Sequence, residues 1–226
     1  MRNIKRKFLV SVDDGSLDDL EIADLLLKYE IPAVFYIPGN CDLTEDQIKK
    51  LAGLGSCKLR DKIRKLFDIG AHTLTHPQDL KRLNDEELMK EIAGSKAWLE
   101  RIIKRPVTKF AYPRGRFDER VKEKVRLAGF KEARTTRILN TDFPDDPFET
   151  DATIHLHPDR KEYKEKTWNE VGFELFDKVV KEGGRFELFM HSWEVAKYNM
   201  EEFLEDFLAY MHDELKRIKY EDIYSK

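Results

Sequence analysis

The stretch Phe8-Leu9-Val10-Ser11-Val12-Asp13-Asp14-Gly15 sets apolar residues in front of two adjacent carboxylates and a glycine. Apolar on both faces, it reads as a strand of a parallel sheet covered by helices. Gly15 permits a tight turn at its end. The carboxylates then stand at the C-terminal end of a strand, where barrels and open α/β sheets place their chemistry. Neighbouring carboxylates repel, so the pair costs stability unless a cation or a shared proton offsets it. Taken alone, Asp-Asp-Gly reads more simply as a turn in which Asp13 or Asp14 caps the next helix. The rest of the chain decides between the two.

Working outward, the periodicity predicts a helix over 17–30, with Leu17, Leu20, Ala23, Leu26 and Leu27 on one face. A second buried strand follows at 33–37, then helices from Thr44 to about 54 and over about 59–67. Residues 69–74 read as a third strand leading to His76-Pro77. Asn84 and Glu87 form a capping box that opens a helix to about 104, and Thr167 with Glu170 forms another that opens a helix closed by Gly183-Gly184. Further strands are predicted over 107–112, 130–136, 152–157 and 186–190, with a helix from Asp118 to Gly129 and a last one over about 200–217. Strands alternate with helices from end to end, and no repeat or linker divides the chain, so 1–226 reads as one parallel α/β domain with about seven strand–helix units.

At 226 residues and 41% hydrophobic content the chain is long enough to bury a sizeable core. Its net charge of −3 comes from interleaved rather than blocked charges, which argues against a nucleic-acid partner. No secretory hydrophobic region and no membrane span is present, so a cytoplasmic location is expected. Cys41 and Cys57 lack the close pairing of a zinc knuckle or a redox motif and read as free thiols, with a disulfide as the alternative.

Four predicted strand ends carry reactive residues: Asp13 and Asp14, His72 with His76, Tyr112-Pro113-Arg114-Gly115, and His191. In a parallel barrel all these ends lie on one face, so residues distant in sequence converge. One carboxylate with two imidazoles is a catalytic metal set that leaves positions open for water and substrate. Its mixed N/O donors suit one divalent ion, zinc first, with cobalt, nickel or iron as alternatives. Trp193, directly after His191 and Ser192, is the best candidate for stacking on a sugar, whereas Trp98 reads as core. His155 and His157 alternate on a strand and share a face, where they would line the substrate mouth, pair on a second metal, or simply pack.

These motifs resemble the polysaccharide deacetylases with a NodB-homology domain, carbohydrate esterase family four. The family's Thr-Phe-Asp-Asp-Gly is similar to Ser11-Val12-Asp13-Asp14-Gly15, and its His-Ser/Thr-x-x-His is matched by His72-Thr73-Leu74-Thr75-His76. Residues 32–40 look like its second strand, and Phe189-Met190-His191 approximates its Leu-x-His strand end. The resemblance implies a distorted (β/α) barrel, a single domain with about seven parallel strands. It implies Asp14, His72 and His76 as metal ligands, Asp13 as general base and His191 as general acid. Tyr112, Pro113 and Arg114 would then border the substrate, with the Arg114 backbone N–H facing the oxyanion.

The third motif departs. Ala111 stands where the family's arginine would hold the base, which leaves Arg114 or Arg134 to reach Asp13. No clear fourth motif is present, so Asp151 and Glu194 are the only candidates to orient His191. The implied activity is metal-dependent removal of N-acetyl groups from an amino sugar. The alternatives are a metal-dependent amidohydrolase acting on a small amide or cyclic imide, and a non-catalytic carbohydrate-binding protein on the same scaffold.

Overall fold

A computed structural model describes residues 4–54 and 59–218. Among them run seven strands: β1 (Arg6–Asp13), β2 (Ala33–Ile37), β3 (Phe67–Ala71), β4 (Lys109–Ala111), β5 (Glu132–Arg134), β6 (Ile154–His155) and β7 (Gly184–His191). They form one sheet in the order β5-β4-β3-β2-β1-β7-β6, and each neighbouring pair is parallel. The helices are α1 (Asp19–Lys28), α2 (Glu45–Leu51), α3 (Arg60–Leu66), α4 (Asp85–Ile103), α5 (Glu119–Leu127), α6 (Trp168–Glu182), α7 (Ser192–Lys197) and α8 (Glu201–Arg217).

The sheet is curled. Arg134 on β5 is four positions from β1 in the strand order, which in a flat sheet is about 19 Å at the usual ~4.8 Å strand spacing. Its guanidinium nevertheless donates to the Asp13 carboxylate at the end of β1. The segment before β6 stitches the two edges together. Thr135 N–H donates to Thr150 O (2.8 Å), Thr150 N–H to Ala133 O (2.9 Å), and Thr153 N–H to Glu187 O on β7 (2.9 Å). The result is a distorted (β/α) barrel.

Strand periodicity divides the core in two. On β1, Phe8, Val10 and Val12 face outward into the main core beneath the helices, where Phe8 meets Phe176 of α6 at 5.2 Å between ring centres. The alternate residue Leu9 points inward to a small cluster with Val34, Tyr36 and Ala111. The β1–β7 register sets Leu9 beside Glu187, Ser11 beside Phe189 and Asp13 beside His191. The barrel interior is therefore narrow, partly charged, and continuous with the rim where the strands end.

Three helices open on capping boxes: Thr44 with Gln47, Asn84 with Glu87, and Thr167 with Glu170. Such caps contribute about 1 kcal/mol each. Several boundaries differ from those read in the sequence. Phe67 begins β3 rather than ending a helix, and β3 stops at Ala71, so His72 leads the loop. Leu17 lies outside α1 and is exposed, because the chain is still turning there. Neither Asp13 nor Asp14 caps α1, whose N-cap is Asp18. The predicted strand over 152–157 pairs only at Ile154 and His155. Trp98 packs partly buried against the core, as expected, and Trp168 is buried against Phe207. Cys41 is a free thiol, while Cys57 lies outside the described residues. Among the described residues no helix is long and apolar enough to cross a membrane.

Candidate active site

Two turns build the rim. After β1 the chain reverses through Asp14 (φ 79°) and Gly15 (φ 65°). After β3 it does so through Thr73 (φ 69°) and His76 (φ 52°). Left-handed conformations at non-glycine residues cost on the order of 1–3 kcal/mol each, and they concentrate where the surrounding structure holds them for function. Here Glu91 of α4 holds the second turn, accepting from Leu74 N–H and Thr75 N–H (both 2.9 Å) and from the Thr75 hydroxyl (2.8 Å). The Thr73 hydroxyl accepts from His76 N–H at 3.1 Å.

Asp14, His72 and His76 come together at this rim, each offering a ligand atom within 4.8 Å of the others. Asp14 Oδ1 lies 3.5 Å from His76 Nε2 and 3.7 Å from His72 Nε2. His72 Nδ1 donates to Ala111 O at 2.8 Å, which leaves its Nε2 lone pair facing the site. Burial lowers the His72 pKa to about 4, outweighing the pull of Asp13 and Asp14, so the ring is neutral as a ligand must be. Asp14 Oδ1 is buried with no hydrogen-bond partner. An orphaned carboxylate oxygen converging with two imidazoles fits a divalent ion and leaves coordination positions open.

Asp13 belongs to a different arrangement. Its carboxylate accepts from Arg134 Nη2, and Arg134 Nη1 donates to Thr135 O at 2.8 Å. The guanidinium lies over the rings of Phe189 (4.1 Å) and Tyr36 (5.3 Å), and its Nε is 3.6 Å from Glu187 Oε1. Glu187 in turn meets Arg185, so cations and anions alternate along the barrel interior. Burial opposes charge on Asp13, but Arg134, His72 and His191 outweigh it and hold the carboxyl below its ordinary range. Asp13 is thus ionised and aimed at the rim, with its Oδ1 lacking a hydrogen-bond partner.

Across from it, His191 Nε2 stands 3.7 Å from Asp14 Oδ2, and Nδ1 bonds to Glu194 Oε2 at 2.9 Å. Burial disfavours charge on His191, but Glu194, Asp13 and Asp14 outweigh it and raise its pKa. Asp151 does not reach this ring; it accepts from the Thr135 hydroxyl and from Arg137 Nε, both at 2.7 Å. Beside His191, Trp193 is 37% exposed, its ring 5.6 Å from the imidazole and 5.2 Å from the Lys197 ammonium.

The Tyr112-Pro113-Arg114 turn closes the remaining side. The Arg114 side chain is exposed and its backbone is left-handed (φ 55°). Pro113 is buried. The Tyr112 ring stacks on Phe117 and its hydroxyl donates to Phe148 O at 3.1 Å, so its side chain is committed to packing.

Arg134 and Glu194 were readable in the sequence only as alternatives. Asp19 reads in the sequence only as an acidic residue suiting the N-terminus of the first helix, and Glu187 carries no reading there. Glu187 interrupts an apolar run with a charge, which is the signal a buried ion pair leaves. Asp19, fully buried at the start of α1, accepts from the Ser192 hydroxyl at 2.5 Å behind His191.

Comparison with solved structures finds the same fold at low identity. A deacetylase of Streptococcus pyogenes in complex with acetate is 19% identical, with a TM-score of 0.54 over 63% of this chain and 62% of its own. A family-4 pseudoenzyme of Bacillus anthracis is 17% identical, with a TM-score of 0.59 over 96% of this chain and 62% of its own. A family-4 carbohydrate esterase of Streptomyces lividans in complex with acetate is 12% identical, with a TM-score of 0.57 over 95% and 89%. The chain thus spans under two thirds of the length of the first two. No curated protein matches the sequence. The family model described as polysaccharide deacetylase matches residues 2–133, more than half the chain, including β1 with Asp13 and Asp14 and the turn with His72 and His76. By that match the chain belongs to the polysaccharide deacetylase family.

Proposed function

We propose that this protein is a metal-dependent hydrolase that removes the N-acetyl group of an amino sugar. The carrying observation is that the Asp13 carboxylate, paired with Arg134, and the His191 ring, paired with Glu194, both border the Asp14–His72–His76 group. Those three residues would hold one divalent ion, zinc by donor type. When bound, such an ion polarises the acetamide carbonyl and acidifies water.

The chain's own residues supply the proton traffic. Asp13 is ionised and takes a proton from the attacking water. The Arg114 backbone N–H faces the oxyanion, a role that needs no particular side chain and suits one that is exposed. His191, whose pKa is raised, carries a proton to the departing amine nitrogen, and Glu194 fixes the ring for that transfer. Trp193 offers a stacking face to the sugar ring.

Arg134 in contact with Asp13 weakens the non-catalytic reading, whose support was Ala111. Acetate release from a panel of N-acetyl sugars, set beside cyclic imides and small amides, tests the substrate class. His191→Ala tests the mechanism. An amide nitrogen leaves badly unless protonated, so kcat on an N-acetyl substrate is expected to fall about 10²–10⁴-fold with metal content unchanged. An activated ester, whose leaving group needs no proton, is expected to lose far less. Equal losses on both substrates would remove His191 from the acid role.

A further inference from the structure

Behind the candidate general acid lies a second group of donor atoms. His155, His191 and Glu194 each offer a ligand atom within 4.8 Å of the others. His155 Nε2 lies 3.3 Å from Glu194 Oε2, the same oxygen that sits 2.9 Å from His191 Nδ1. His155 is 6% exposed, yet neither of its ring nitrogens has a hydrogen-bond partner. The ring stacks on Phe189 at 4.3 Å between centres, a contact that a phenylalanine would make without stranding a buried Nδ1, while Nε2 meets only the Glu194 carboxylate. An unpaired buried polar atom costs on the order of 1–3 kcal/mol. A residue that only packs has no reason to carry that cost, whereas a ligand does.

His157 stands beside this group with a different task. Its Nδ1 accepts from Asp159 N–H at 3.0 Å, so in the neutral ring Nε2 carries the proton. That protonated nitrogen lies 3.6 Å from Glu194 Oε1 and has no lone pair to give a cation. The donor set is therefore one carboxylate and two imidazoles.

We propose that His155, Glu194 and the Nδ1 of His191 form a second, weaker site for a divalent transition-metal ion, and that filling it switches the enzyme off. The inhibitory part rests on the functional reading above. His191 presents Nε2 to the rim and Nδ1 to this group. A cation on Nδ1 takes the lone pair that must hold a proton in imidazolium, and it takes the Glu194 oxygen that orients the ring. The ring then cannot deliver a proton near neutral pH. One ion permits the reaction, and a second removes its acid.

The test uses metal-stripped full-length protein dialysed against increasing Zn²⁺, with bound zinc counted by elemental analysis. Wild type is expected to take up two ions per chain, the second at a zinc concentration at least about tenfold higher. His155→Phe keeps the stacking on Phe189 and is expected to take up one, as is His76→Ala, which loses the other site. Turnover of an N-acetyl substrate by wild type is expected to fall by on the order of 10²-fold as the second ion loads, while His155→Phe stays level over that range. A single ion on wild type overturns the site, and so does a second ion retained by His155→Phe. Two ions with undiminished turnover overturn the switch. Should His155→Phe melt early, His155→Gln and the wild-type count decide by the same outcomes. If no N-acetyl substrate is hydrolysed at all, the functional reading fails, while the ion counts still decide whether the second site exists.

Discussion

Arg134 occupies, in space, the role left vacant at Ala111. Its planar fork reaches Asp13 with one arm and Thr135 O with the other, gripped by two aromatic rings. Lysine carries the charge without the fork. Removing the cation altogether, as in Arg134→Met, leaves Asp13 and Glu187 as buried carboxylates facing each other's field. Breaking a buried pair from one side costs about 3–5 kcal/mol, and a loss of that size is expected in chemical denaturation. Arg134→Lys is expected to regain part of the stability but little of kcat, with zinc content intact; an Arg134→Met variant as stable as wild type would remove the pair's structural role. Asp13, Asp14, His72, His76 and His191 were legible because short motifs at strand ends carry them. Arg134 was legible only as one of two candidates, because its partner is 121 residues away and nothing in the spacing separates it from Arg114. Glu194 was obscured for a different reason: it sits in a six-residue helix too short to show a periodic pattern.

At the scale of elements, β3 shows how sheet geometry reaches the chemistry. Gly70 pairs in register with Tyr36 on β2, and a Cβ there would collide with the Tyr36 ring. That ring lies under the Arg134 guanidinium. Gly70→Ala must therefore displace the Tyr36 ring, which packs against the group that holds Asp13. Overpacking of this kind costs typically about 1–3 kcal/mol, so a lower melting temperature is expected together with a reduced kcat. A double variant with Tyr36→Leu is expected to recover stability; failure to do so would place the strain elsewhere. The capping boxes were readable because each is a four-residue signal complete in itself. The true lengths of β4, β5 and β6 were not, because apolar runs such as 107–112 and 130–136 continue past the point where the neighbouring strand stops pairing. Between β3 and β4 the ladder is the single pair Ala71–Phe110.

Over the whole molecule, one buried group tilts stability against pH. Burial raises the Asp19 pKa from 3.8 to about 8, only partly countered by the Ser192 hydroxyl. The folded chain holds this proton where the unfolded chain releases it. Its contribution is therefore fully present below about pH 4 and declines as pH rises towards 8, at up to ~1.4 kcal/mol per pH unit. Asp19→Asn keeps an acceptor for Ser192 and abolishes that slope, so its melting temperature is expected to exceed that of wild type by a margin that grows between pH 5 and pH 8. Equal margins at both pH values would show that Asp19 ionises freely. The curl of the sheet has a consequence of another kind. Strand ends gathered in a ring are like seats at a round table, and a cation can change seats without changing whom it faces. With Arg134 on β5 and Ala111 on β4, register neighbours in the sheet, the cation beside Asp13 comes from the next strand over. An inventory taken in linear order counts the alanine as a loss, whereas one taken around the table finds every place filled.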